Sequence, residues 1–507
     1  MINHKTESPN RAPHNPIFVI LVIIFSIPSI FHFDRFTTSY LFLFLTLIPF
    51  FHACFISKKY NIFKPIVLIS LVYAIAYPIT GLKINEYTDS LSVMVDEYSV
   101  DDALRWSYRG FACFIGSYVI SEFYLSMKNP NKIKDKGNDI FPTLYVKFCY
   151  VLGFLGLLGF LISFVIYQGV PVTFLDRNIQ HSNTTVMQIV HYLIMGSYIF
   201  FFVYVLFRSR FKKRKLLNWL FYILLLQHVI MIAGEGSKAR IFALIICILL
   251  PISLSKVKFT MKQGVIGILL AISIFIVFSV ITNYRILMRA DPLSVNNGVI
   301  ETIEIQTDNF ADAFILSYRQ FNAGMFKDGE ITNQILTRLG SVPSFAYLLM
   351  STDGKSPYEN IISTFLIPLF AVIPRTIFPL KPIYFHSGEL ASRIFGWEHG
   401  GISVTLIGSL YWSWGYYGIC LGMTFIGFVF AQIISRFHYY YNKEAGILYA
   451  GLLVILMLYL LNPGKTFHAI VMDIIRYYIA LYLLINIILR RNTKNILKKQ
   501  ELAIEEN

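Results

Sequence analysis

Between Arg375 and His399 the chain collects Arg375, Lys381, His386, Glu389, Arg393, Glu398 and His399, interleaved with Phe378, Tyr384, Phe385 and Trp397. Fixed cations hold phosphate groups through charge-assisted hydrogen bonds. Aromatic faces stack on sugar rings, and imidazole and carboxylate groups carry protons. Together these residue types suit a site for a sugar chain that bears a phosphate. The same stretch also reads as a solvated loop.

Three other places carry charge where the surroundings are apolar. Gly234 to Arg240 is a short connection with Glu235, Lys238 and Arg240 between two hydrophobic runs. Its glycines would let a ligand approach the backbone while Lys238 and Arg240 hold an anion; as interfacial anchors the two cations would instead snorkel to the membrane surface. Arg285 and Arg289 lie four apart, on one helix face where an apolar run ends. Near the C-terminus, Asp473 and Arg476 have the spacing of an ion pair, which would offset the cost of two charges in lipid. Lys465 and His468 flank a turn opening with Asn462-Pro463-Gly464.

The elements that must position these residues are membrane helices. The chain is 56% hydrophobic and only 14% charged over 507 residues, a balance foreign to soluble proteins. Runs near the roughly 20 residues a span needs lie at 17–31, 39–56, 62–80, 107–127, 143–168, 187–208, 217–233, 239–255, 263–283, 412–434, 445–461 and 468–489. Pro28 interrupts the first, which lacks a cleavage site and reads as an anchor. The expected fold is therefore an all-α polytopic membrane protein of about twelve transmembrane helices.

Basic residues set its direction. Lys58, Lys59, Lys64, Lys128, Lys132, Arg208 to Lys215, Lys256 to Lys262 and the tail from Arg490 fall in connections on the side of the N-terminus. The opposite connections are poor in lysine and arginine, and 81–106 is an acidic loop. The positive-inside rule puts both termini in the cytoplasm, and the even number of spans agrees. The expected organisation is a cytoplasmic tail (1–16), nine spans (17–283), one large extracytoplasmic loop (284–402), three spans (403–490) and a cytoplasmic tail (491–507). Within the large loop, residues 291–330 alternate acidic and apolar positions as a surface helix does. Ile361 to Pro374 is too short to cross and reads as an interfacial or re-entrant segment.

Several functions are excluded. The net charge of +15 sits largely in cytoplasmic connections, where it sets topology and meets anionic lipid, so nucleic acid is not an expected partner. The five cysteines all fall in spans without metal-ligand spacing. Gly234 to Ala239 matches a dinucleotide fingerprint but is flanked by membrane helices rather than a strand and a helix. Gly464-Lys465-Thr466 lacks the first glycine of a phosphate loop, where Tyr459 stands. There is no Asp-x-Asp pair, so neither a metal nor a cofactor is expected.

Ile373-Pro374-Arg375, Pro379, Lys381-Pro382, the Gly/Ser-rich stretch from Gly400 to Gly408 and Tyr416-Tyr417-Gly418 resemble the O-antigen and oligosaccharide repeat-unit polymerases. So do Gly236 to Arg240, with Lys238 where many relatives have arginine, and the layout of many spans with one dominant late loop. The resemblance implies a glycosyltransferase of the bacterial inner membrane. Its donor and acceptor would be oligosaccharides on undecaprenyl pyrophosphate, and a chain-length regulator would be a partner. Arg240, Lys238, Arg285, Arg375, Lys381 and Arg393 would then bind pyrophosphate. Glu389, His386 and His399 would be the candidates to take the proton of the attacking hydroxyl, and Lys465, His468, Asp473 and Arg476 would give intramembrane support. An O-antigen ligase shares this layout. A lipid-linked oligosaccharide flippase would have short connections throughout, and a proton-coupled transporter is the remoter alternative.

Overall fold

A computed structural model describes residues 16–53, 64–84, 95–128, 140–166, 184–207, 214–235, 238–254, 299–322, 340–352, 404–440, 445–462 and 464–505, with isolated positions at 280, 283–284, 287, 370 and 373. Every regular element among them is helical. Among the described residues five helices are long and apolar enough to cross a membrane: Pro65–Leu82, Leu144–Ile166, Lys215–Ile232, Leu406–Tyr440 and Phe467–Ile488. Shorter apolar helices cover Pro16–Ile30, Arg35–Phe51, Tyr192–Leu206 and Ala445–Leu460. Only 28% of the Phe467–Ile488 window and 33% of the Leu144–Ile166 window are buried in protein. So much uncovered apolar surface is tolerable in lipid and not in water. The chain is a membrane-embedded helical protein.

The helices fall into two compact units, Met1–Phe141 with Thr332–Asn507, and Pro142–Ile331. In the first, α1 (Pro16–Ser26) ends in a 3₁₀ turn over Ile27–Ile30, where Pro28 forbids a continued α ladder. Helix α2 (Arg35–Phe51) is capped by Asp34, whose carboxylate accepts from the Phe36 and Thr37 amides at 3.0 and 3.1 Å. Helix α3 (Pro65–Ala74) runs through a π turn at Ile75–Ile79, which contains Pro78, to Leu82. Beside that widened turn the Ala76 carbonyl accepts from the Ser341 amide at 2.8 Å, tying the start of a later helix to α3.

Helix α4 (Glu97–Lys128) begins well before its apolar part, so residues 97–106, expected as loop, are helical. Phe42, Tyr73, Tyr77, Tyr108 and Phe111 pack ring on ring where α2, α3 and α4 meet, each about 1% exposed or less. Such pairs add to their buried area and hold the helices in one register.

In the second unit lie α5 (Ile140–Ile166), α6 (Thr184–Leu206), α7 (Lys215–Glu235), α8 (Lys238–Leu254) and α9 (Val299–Asn322). Helix α5 begins two residues before the boundary between the units. Within the stretch 291–330, α9 is helical, with Glu304, Asp308 and Asp312 exposed beside Phe314 and Tyr318, while Ala313 and Ser317 are buried. Ser317 accepts from Asn283 at 2.7 Å and donates to the Ala313 carbonyl.

The first unit resumes with α10 (Val342–Thr352), α11 (Leu406–Tyr440), α12 (Ala445–Leu460) and α13 (Phe467–Glu505). Helix α11 is broken at Trp414 and Gly415; Gly415 has φ +62° and ψ −152°, a conformation that only glycine adopts freely. The break is sharp. Leu410 presses on Gly418 and Gly422, so residues 406–413 fold against the helix they precede, and neither glycine has room for a side chain.

Candidate functional site

Helices α4 and α11 bring a polar set together at the α11 break. On α4, Asp102, Arg105, Trp106 and Arg109 recur at intervals of three, one and three, placing them on one face. Arg105 donates to Asp102 at 3.1 Å, and the other oxygen of Asp102 accepts from the Tyr416 hydroxyl at 2.9 Å. The Arg105 Nε–H is buried without a partner among the described residues, a donor left over for a ligand. Trp106 stacks on Tyr416 with centroids 4.1 Å apart, and the Arg109 guanidinium lies over the Trp106 ring, 4.3 Å from its centroid. Arg109 also donates to the carbonyls of Ser29 and Ile30, at 2.7 and 2.9 Å, which satisfies orphan acceptors at the end of α1.

On the near side of the break, Tyr411 lies 5.1 Å from Tyr416 and its hydroxyl meets that of Thr352 at 3.2 Å. Thr352 ends α10, and α11 starts at Leu406. Gly408, near the start of α11, packs on Phe345 and Leu348, so α10 and the first part of α11 lie alongside each other and Thr352 meets the later Tyr411. Thr405, just before α11, has φ +57°, a strained value for a β-branched residue. Its hydroxyl accepts from the Gly408 amide at 2.9 Å, which caps the half-helix. Trp414 and Tyr417 stay accessible at the break, Tyr417 by 78%.

A second polar set joins the same half-helix. Ser409 accepts from the Phe467 amide at 2.8 Å, fixing α13 to α11. Asp473 is buried, takes a hydrogen bond from Tyr459 and pairs with Arg476 at 3.5 Å. The expected helix-face ion pair is thus present. Lys465 sits 5.8 Å from the Tyr459 ring. It keeps an accessible surface, yet the protein mass around its turn desolvates the ammonium and lowers its pKa from the usual lysine value. His468 is buried beside Phe467.

Of the other expected residues, Arg240 lies in the first turn of α8 and donates to the Met231 sulfur at 3.4 Å. Lys238 opens the same helix. The connection expected from Gly234 to Arg240 is shorter than its sequence suggests, because α7 continues through Glu235. Cations in a first turn run against the helix dipole and add to its positive end. Arg285, Arg375, Lys381, His386, Glu389, Arg393 and His399 lie outside the described residues, as does most of the segment Ile361 to Pro374.

The Asp102, Arg105, Trp106 and Arg109 face went unnoticed in the sequence because residues 81–106 read as one acidic loop. The helical spacing was the signal, hidden by charges that lower the hydropathy of the first turns. A Ser197–His228 pair at 2.5 Å in the second unit was also missed. Both residues are wholly buried, and Ser197 donates to the Ile194 carbonyl. Among the described residues no group of three or more histidine, cysteine or carboxylate side chains could hold a metal. The chain matches no protein-family profile, no curated protein and no solved structure.

Proposed function

We propose that this chain is a multi-pass glycosyltransferase of the bacterial inner membrane that polymerises oligosaccharide repeat units carried on undecaprenyl pyrophosphate. The growing glycan leaves its carrier and joins the sugar end of an incoming unit on the extracytoplasmic face. In this reading the twelve spans and the large extracytoplasmic loop of the sequence hold, with both termini cytoplasmic.

The observation that carries the proposal is the meeting of Thr352 and Tyr411. It brings the end of α10 to the half-helix that precedes the open aromatics of the α11 break, where Tyr416 meets the Asp102 and Trp106 face of α4. Breaking the glycan–pyrophosphate bond builds charge on the leaving oxygens. Arg375, Lys381 and Arg393, with the left-over donor of Arg105, are the groups to stabilise it. A proton must leave the attacking hydroxyl as the new bond forms, and Glu389, His386 or His399 would accept it. Accessible Trp414 and Tyr417 offer faces for sugar rings.

The test is a cell in which the gene is inactivated and then complemented with the wild type or with Arg375→Ala. The expected result is single repeat units attached to the acceptor core, long chains on wild-type complementation, and short chains with the variant. Glycan held on its lipid carrier would show a ligase instead. Failure to deliver any repeat unit to the outer face would show a flippase. Unchanged chain length with Arg375→Ala would overturn the assignment of the site.

A further inference from the structure

Helices α4 and α11 run side by side in the same direction. Asp102 and Trp106 meet Tyr416, Gly110 faces Ile419 and Met423 further on, and Phe114 and Ser117 then face Gly427. Charge is confined to the start of this seam. Asp102, Arg105 and Arg109 lie there, and no charged residue follows on α4 before Glu122 or on α11 before Arg436. The two arginines outnumber the acid, so one end of the seam suits an anion and the rest suits hydrocarbon.

Beyond its charged end the seam opens into a groove of about 470 Å³. Ile120 of α4 and Leu421, Phe425 and Phe428 of α11 line it, each about half exposed or more. Ser117, also in the lining, spends its hydroxyl proton on the Phe114 carbonyl at 2.9 Å and has no donor left for water. Such a surface on a membrane-embedded protein takes a hydrocarbon chain. Leu421, Phe425 and Phe428 recur four and three residues apart, so the groove follows α11 for about 10 Å at 1.5 Å per residue. Its line continues toward the α11 break on both helices. Open Tyr417 stands one turn before Leu421, and Gly116, one turn before Ile120, has empty space where a side chain would be.

We infer that this groove seats the hydrocarbon chain of the carrier lipid while its pyrophosphate lies at Arg105 and the α11 break. The inference rests on the proposed reaction, which brings the head of this one lipid to that place. The Arg105 Nε–H, buried without a partner among the described residues, is a donor for the head. The uncharged seam beyond it then receives the chain. With head and chain both held, the bond to be broken keeps one position against the attacking hydroxyl.

The experiment puts p-benzoylphenylalanine in place of Phe425 or Ile120 in the full-length protein in cells, with the exposed Tyr482 of α13 as the control position. Irradiation joins the probe to its neighbour, and intact mass identifies the adduct. The expected result is an undecaprenyl carrier adduct at both groove positions, with a carrier-to-phospholipid ratio at least about tenfold that at the control. Leu421→Trp, which fills the groove, should lose most of that adduct and shorten the glycan chains. Equal ratios at all three positions, a protein adduct in the groove, or an undiminished carrier adduct in Leu421→Trp would overturn the inference. Should cells lacking the gene still make only single repeat units, the reaction stands and the groove assignment alone falls. Normal chains in cells lacking the gene would remove the reaction and the inference with it. The crosslinks at exposed positions decide the matter if Leu421→Trp fails to fold.

Discussion

Tyr416 donates to Asp102 at 2.9 Å while Arg105 holds the other carboxylate oxygen at 3.1 Å, so one acid joins two helices that are 314 positions apart in the chain. The bond sits directly after the Gly415 break, where the backbone of α11 departs from helical dihedrals. Tyr416→Phe keeps the stacking on Trp106 and removes only the hydroxyl. The expected cost is about 1–2 kcal/mol, the lower part of the range for hydrogen bonds to charged groups because the pair is partly exposed. Asp102→Ala should cost more, since it also strands Arg105. Thermal unfolding of the purified protein in detergent would rank the two; a larger loss for Tyr416→Phe would refute this account.

The Asp473–Arg476 pair lies deeper and behaves differently. Both residues are mostly shielded, and Tyr459 supplies a second partner to the acid. Removing one member leaves the other charge uncompensated, at a cost of about 3–5 kcal/mol. Removing both together avoids that penalty. Asp473→Leu with Arg476→Met should therefore fold better than either single substitution, read as the monodisperse fraction on size-exclusion chromatography. Additive losses would show that the two groups are not coupled.

Glycines on α4 and α11 give an internal control. Gly427→Ala drives a methyl into the Phe114 carbonyl and the Ser117 hydroxyl, and backbone cannot rotate away. A loss of about 1–3 kcal/mol is expected, with a looser α4–α11 seam. Gly116 has open space where its side chain would be, so Gly116→Ala should be neutral or stabilising by up to about 1 kcal/mol through helix propensity. Equal effects of the two would mean that the seam is not close-packed in the membrane.

How much of this could be read in the sequence follows from what hydropathy measures. The helical class, the interruption of the first apolar run at Pro28, and the Asp473–Arg476 pair were legible because each depends on local spacing. The start of α4 was not: Asp101, Asp102 and Arg105 make its first turns look like solvent-exposed loop, and only tertiary partners show why they are helical. The break in α11 was hidden for the opposite reason. Leu406 to Tyr440 is apolar throughout, and a fold-back that rests on Gly415, Gly418 and Gly422 leaves hydropathy unchanged. Tyr416-Tyr417-Gly418 marked the place by resemblance without giving the cause.

Asp101 offers a test that depends on pH rather than on packing alone. Desolvation raises its carboxyl above the ordinary value of 3.8, with Arg35 and Arg105 pulling it back and Glu97 and Asp34 adding to the rise. A carboxyl with a raised folded-state pKa holds its proton longer in the folded protein than in the unfolded chain. Its contribution to instability is thus absent below the unfolded pKa, grows as pH rises through the folded pKa, and is complete above it. Asp101→Asn removes the charge at every pH. The variant should melt at a higher temperature than the wild type near neutral pH, and the gain should fade as pH falls below the usual carboxylate range. Melting curves of both proteins in detergent, taken across that range, decide the matter. A gain that persists unchanged in acid would trace to shape or hydrogen bonding of the amide and would remove desolvation as the cause.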